Sequence, residues 1–271
     1  MRCFLVLLIT SLALSGFAEA AGLSLQSHRA VYDLTLSRAR DNGGISGLSG
    51  RLAYELSGDC EGYIVNQRML TKVTDAGGRQ VINDFRITSW ESLDGLEFRY
   101  SARNEIDGKV VEEVKGNAAL EEPGGVGTAH FSKPKKQILA LPKGTVFPTE
   151  QVILLVRAAE SGRRNADILV FDGSRYDGLY DTFSVIGPEH PLLSEAESAA
   201  HELLRGQRSW RAQLAFFPLM PKPDHAAGTP EFEVGFRLFQ NGIFTELTLD
   251  YGDFALAGTL TRLEPLPKPD C

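Results

Sequence analysis

"RAVYDLTLS", residues 29–37, decides the fold. Ala30, Tyr32, Leu34 and Leu36 alternate with Val31, Asp33, Thr35 and Ser37. A period of two marks a half-buried antiparallel strand. The next stretch, "RLAYELSG" (51–58), sets Leu52, Tyr54 and Leu56 against Arg51, Ala53 and Glu55. The same habit runs through 63–73, 81–90, 96–103 and 109–116, and resumes in 166–173, 178–187, 209–217, 231–239, 243–252 and 254–264. Turn signals separate these stretches: "DNGG" (41–44), "SGDCEG" (57–62), "DAGG" (75–78), "SLDG" (92–95) and "IDG" (106–108). Asn241-Gly242 is the usual pair for a two-residue type I′ hairpin. Roughly a dozen strands with no strand–helix alternation predict an all-β domain, a closed barrel or a two-sheet arrangement.

Two stretches depart from the pattern. "PTEQVILLVRAAESG" (148–162) carries Val152, Leu155, Val156 and Ala159 at helical spacing. It predicts one helix, about residues 149–161, with its apolar stripe on the sheet. "SEAESAAHELLRG" (194–206) offers a capping box, Ser194 with Glu197, and predicts a second helix with a thin apolar face.

The N-terminus has the form of a secretory signal peptide. Arg2 precedes an apolar run at 4–14, too short to span a bilayer, and Ala18-Glu19-Ala20 supplies an A-x-A cleavage site. The expected organisation is a signal peptide at 1–20 and a single β-domain at 21–271, exported to the periplasm, monomeric and without a transmembrane segment. Of the three cysteines, Cys3 leaves with the signal, so Cys60 and Cys271 remain. Two cysteines in an oxidising compartment most simply form one disulfide, with two free thiols as the alternative. The net charge of −7 argues against nucleic-acid and anionic-lipid partners. "KPKK" (133–136) is a short solvated loop.

No pattern of residues points to catalysis, a metal or a cofactor. His28, His130, His190, His201 and His225 lack metal-ligand spacing, and neither phosphate-binding glycine motif occurs. "GGISGLSG" (43–50) lacks the glycine that a nucleophile elbow needs two residues after its serine. Glu112-Glu113 and Glu121-Glu122 are expected to be solvated charge, and Trp90 and Trp210 to pack in the core or at its rim. One stretch is over-specified: "FDGSRYDGLYDTFSVIG" (171–187) interleaves Asp172, Arg175, Asp177 and Asp181 with Tyr176 and Tyr180. It reads as a structural polar cluster on a tight turn, an Arg–Asp pair and two half-buried tyrosines, ahead of a polar functional site.

"HRAVYDLTLS" (28–37), "SGRLAYELSGDCEGY" (49–63), "FPTEQV" (147–152), "GSRYDGLYDT" (173–182) and the terminal Cys271 together resemble the EipB family of cell envelope integrity proteins, periplasmic proteins of α-proteobacteria. The resemblance spans essentially all of the mature chain and is weakest at 187–209. It implies a many-stranded antiparallel β-spiral or broken barrel with a packed helix, and a Cys60–Cys271 disulfide. It also implies a non-enzymatic role in envelope maintenance, with a periplasmic tetratricopeptide-repeat protein as partner. An interaction protein of the envelope is thus the first expectation. A carrier or sensor of an apolar ligand, a lipid or cell-wall fragment, is the second, and a hydrolase the third. An apolar hollow of several hundred cubic ångströms would favour the carrier; a barrel filled by Tyr and Phe would not.

Overall fold

A computed structural model describes residues 24–40, 44–220, 226 and 228–267. The expected signal peptide at 1–20 and Cys271, and with it the expected Cys60–Cys271 bridge, lie outside the described residues. The strands are β1 (His28–Ala39), β2 (Ile45–Gly58), β3 (Gly62–Asp75), β4 (Gln80–Ser92), β5 (Glu97–Ile106), β6 (Lys109–Leu120), β7 (Gly127–Lys133), β8 (Gln137–Leu141) and β9 (Thr145–Val146). Helix α1 (Pro148–Glu160) follows, then β10 (Asn165–Phe171), β11 (Leu179–His190), the short helix α2 (Glu195–Ala200), β12 (Ser209–Pro218), β13 (Phe232–Phe239), β14 (Phe244–Asp250) and β15 (Phe254–Pro265).

Among the described residues fifteen strands form one sheet, in the order β8-β7-β6-β5-β4-β3-β2-β1-β15-β14-β13-β12-β11-β10-β9. Each strand pairs mostly with its neighbour in sequence, and β1 with β15 joins the two halves. Every pairing is antiparallel except β9 with β10. The result is a nearly closed barrel with two free edges, β8 and β9. The period-two pattern is what lets it curl: β5 buries Phe98, Tyr100 and Ala102 and exposes Arg99, Ser101 and Arg103. α1 lies inside the curl, with Leu155, Val156 and Ala159 packed among Ile168, Val170 and Trp210.

Two local expectations need correction. Asn241-Gly242 does not make a type I′ turn. Only Gly242 has positive φ (83°), and Gly242 N–H bonds back to Phe239 O at 2.8 Å in a longer connection. The side chain of Asn241 is engaged elsewhere, donating to Leu203 O at 2.8 Å. The two-residue turn with φ positive at both positions is Asp107-Gly108 (50° and 74°), between β5 and β6. The predicted second helix is cut short at Ala200, although its capping box forms: Ser194 N donates to Glu197 Oε2 at 2.9 Å, and Glu197 N donates to Ser194 Oγ at 3.3 Å. "KPKK" is the β7–β8 turn, and its Lys133 ends β7, paired with Glu113 at 2.8 Å.

Candidate functional site

The interior has two unlike ends. Around β5–β8 it is filled by rings. Phe98 stacks on Phe147 (centroids 4.9 Å apart), and Phe171 meets Tyr100 edge-on at 5.4 Å. Phe98, Tyr100, Phe131, Phe147 and Phe171 are all buried at this end. Toward β2–β4 and β12–β15 the opposite holds. Met69, Phe85, Val234, Phe244, Leu249 and Phe254 sit on the inner face yet remain only partly buried, because they line a hollow of about 700 Å³. That volume falls among small-molecule sites, and the lining is predominantly aliphatic and aromatic.

Helix α1 walls one side, contributing Gln151, Val152 and Leu155. Its N-cap, Phe147, offers no side-chain oxygen. Glu91 on β4 replaces that cap: its carboxylate accepts the N–H groups of Thr149 (2.7 Å) and Glu150 (2.8 Å). Glu91 is 2 % exposed. Burial pushes its pKa up to about 7 against the opposing pull of these two hydrogen bonds. One turn on, Gln151 Nε2 donates to Thr182 Oγ1 at 3.0 Å, and that hydroxyl donates to Ile168 O at 2.6 Å. These bonds fix the helix against the sheet.

The hollow has a polar end, built by the β10–β11 turn. Gly173 (φ 63°) lies so close to the aromatic rings that a Cβ would come within 2.6 Å of Tyr100 Cγ. Gly178 leaves room for Asp172, whose Oδ1 would lie 2.3 Å from a Cβ there. This explains the two Asp-Gly pairs. Asp172 accepts Ser174 N (2.9 Å) and Ser174 Oγ (2.8 Å). Asp172 lines the hollow, and burial raises its pKa to about 6 against these bonds. Arg175 Nη1 donates to Glu231 Oε1 at 2.9 Å, and its Nε lies 3.3 Å from Asp177 and 4.0 Å from Glu112. Burial acts to lower the pKa of Arg175, but the carboxylates around it, Asp177 first, hold it above its ordinary value.

The structure therefore divides the six clustered residues of 171–187. Asp172, Arg175 and Tyr180 line the hollow, and Asp177 touches Arg175. Tyr176 is exposed, with its ring 6.5 Å from that of Phe131. Asp181 points outward on β11. Cys60 lies in the β2–β3 turn, which Asp59 ties down by accepting Glu61 N and Gly62 N at 2.8 and 2.6 Å. Asn83, Asn104 and Glu231 also belong to the polar end and were not singled out in the sequence, and Glu112, expected as solvated charge, stands at the rim of the hollow with its side chain 41 % exposed. A signal was present: Asn83 shares the phase of Val81 and Phe85, and Asn104 that of Tyr100 and Ala102. A polar residue on an apolar phase is the mark of a lined cavity.

Comparison with known proteins agrees with this architecture. The EipB-like family model matches residues 19–267. The chain belongs to the EipB-like family. A relative of this EipB-like chain is the cell envelope integrity protein EipB of Brucella abortus (strain 2308), 38 % identical over 256 residues, covering 92 % of this chain and 89 % of that protein. Among solved structures it is similar to the crystal structure of a beta-barrel-like protein of the domain of unknown function DUF1849 from Brucella abortus. The TM-score is 0.81 at 36 % identity, over 91 % of this chain and all of that one. Among the described residues of the EipB-like chain, no helix is long and apolar enough to cross a membrane.

Proposed function

We propose that the protein is exported to the periplasm and maintains the cell envelope without catalysing a reaction, holding the apolar part of an amphiphilic ligand inside its barrel. The observation that carries this reading is the hollow of about 700 Å³. An apolar cavity of that size is costly to leave to water and favourable to fill with a hydrocarbon chain. The name of the Brucella relative supports the envelope role, and the N-terminal sequence pattern supports export.

A tetratricopeptide-repeat partner, implied by the family resemblance, is the second reading. The free edge of β8 favours it: Ile138 there is 64 % exposed, and an unpaired strand edge is a ready surface for protein contact.

Complementation separates the two. A strain lacking the gene should lose resistance to detergent and to cell-wall antibiotics, and the wild-type gene should restore it. A Val234→Trp gene, which fills the hollow, should not, provided that the variant accumulates to wild-type levels. Full rescue by that variant would overturn the ligand reading and favour the partner reading.

A further inference from the structure

The net charge of −7 is not spread evenly over the barrel. Because the sheet is a meander, the β3–β4, β5–β6, β7–β8, β10–β11 and β14–β15 turns lie at one end. There Arg175 and Tyr251 line the hollow and keep exposed surface, so this end is its mouth. The β2–β3, β4–β5 and β6–β7 turns lie at the far end, and they are acidic: Asp59 and Glu61, Asp94, and Glu121 and Glu122. The mouth end carries the exposed cations Arg79, Lys109, Lys135 and Lys136. Its own carboxylates are engaged. Asp75 and Asp107 accept the backbone N–H groups of Arg79 and Ile82, each at 2.9 Å, and Asp250 pairs with Arg38 at 2.6 Å.

The positive charge continues onto the outer face. Arg68, Arg86 and Arg103 stand directly opposite one another across β3, β4 and β5, with Asp84 and Glu105 paired beneath them. Between this row and the mouth, exposed aliphatic side chains appear. Leu70 stands opposite Asp84, Val110 opposite Glu105, and Ile82 opposite Lys72. Val111, 54 % exposed, bulges from β6 beside them. Tyr176 and Tyr251 are exposed on the β10–β11 and β14–β15 turns of the same end, and a tyrosine suits a boundary that is apolar on one side and wet on the other. Leu93 and Val126 are exposed at the far end, but among the carboxylates of its turns.

We propose that the mouth end docks on an anionic lipid surface. Ile82, Val110 and Val111 enter the interface, Arg79, Lys109, Lys135 and Lys136 meet the headgroups, and the hollow opens toward the lipid. Total charge argues against such a partner; its segregation removes that argument at this end. Asp84 and Glu105 separate Leu70 from Val110, so the aliphatic side chains form no continuous core of the kind on which a protein interface centres. A fluid lipid surface requires none. The inference rests on the reading of the hollow as the site of an amphiphile's chain, for which docking provides a route from the bilayer that avoids water.

The test is co-sedimentation of the mature protein with vesicles of phosphatidylcholine alone and of phosphatidylcholine mixed with phosphatidylglycerol. Wild type should pellet with the mixed vesicles only, and high salt should release it. Arg79→Glu with Lys109→Glu, and separately Ile82→Asn with Val110→Asn, should each raise the lipid concentration needed by at least about tenfold. Leu93→Asn at the far end should bind as wild type. All four proteins should bind a neutral fluorescent probe equally, which shows that each is folded with its hollow intact. Probe binding without vesicle binding would overturn the docking inference and leave the reading of the hollow standing. Wild-type vesicle binding by both mouth-end variants, or equal weakening by Leu93→Asn, would place the contact elsewhere and overturn it as well. Vesicle binding absent, with both mouth-end variants failing to restore detergent resistance to the deletion strain, would assign the face to a protein partner instead. If wild type binds neither probe nor vesicles, both readings fall.

Discussion

The carboxylate of Glu91 on β4 accepts the backbone N–H of Thr149 at 2.7 Å, 58 residues away, and through it the sheet caps helix α1. A cap supplied from so far along the chain ties the wall of the hollow to the barrel. Glu91→Ala removes both hydrogen bonds from a buried helix end. It is expected to lower stability by about 2 kcal/mol, read from urea unfolding. An unchanged unfolding midpoint would show that α1 is held by its apolar face alone.

Glu91 and Asp172 also set a pH dependence. Burial raises both, to about 7 and about 6, above their ordinary values of 4.5 and 3.8. The folded state therefore binds protons that the unfolded state has released. Their stabilising contribution is full below the ordinary values and is lost as pH rises through the raised ones. His28 opposes them below pH 6.5, because burial lowers its pKa. The clean readout is the stability difference between wild type and Glu91→Gln, which keeps the neutral form at every pH. From pH 4.5 to 7.5 the variant should gain on the wild type, by at most about 3 kcal/mol. A difference independent of pH in urea midpoints would contradict the assignment.

On the outer face, Arg68 and Arg86 stand directly opposite each other across β3 and β4. Asp84 accepts hydrogen bonds from both, at 2.6–3.1 Å, and these hold its carboxyl well below the usual range. Asp84→Asn leaves two facing guanidinium groups without their shared counter-charge. The melting temperature should fall by about 2–4 °C, and the fall should shrink in high salt. A salt-independent loss would assign the effect to packing.

The cysteines carry a separate proposal. Cys60 sits in a turn that Asp59 ties down, and Trp90 on β4 also donates to Asp59 Oδ2 at 3.3 Å. A bridge to Cys271 would close a loop of most of the mature chain, worth roughly 5 kcal/mol in the chain-entropy limit. Denatured, non-reduced protein from the periplasm should show no free thiol, and Cys60→Ser should lower its melting temperature. Full labelling of both cysteines before reduction would remove the bridge.

The sequence discloses the strands, because alternation such as that of Ala30, Tyr32 and Leu34 is a local property of the chain. It discloses α1 for the same reason. It hides β7, where only Ala129 and Phe131 mark the buried phase, and β8 and β9, five and two residues long, since so short a run shows no period. It also hides the hollow. Alternation says that Met69 and Val234 face inward, but whether they meet other side chains or empty space depends on how the whole sheet curls. The DGSRYDG turn stood out by composition, yet the company it keeps with Glu112 and Glu231, 63 and 56 residues from Arg175 in sequence, is set by the fold.

The central claim is that the hollow binds an apolar chain. Titration with the neutral probe N-phenyl-1-naphthylamine tests it most directly, using wild-type protein and two filled variants, Val234→Trp on β13 and Met69→Trp on β3. Wild type should saturate at one probe per protein, and both variants should fold cooperatively and bind at least about tenfold more weakly. No saturable binding by the wild type, or equal binding by all three proteins, would contradict the account.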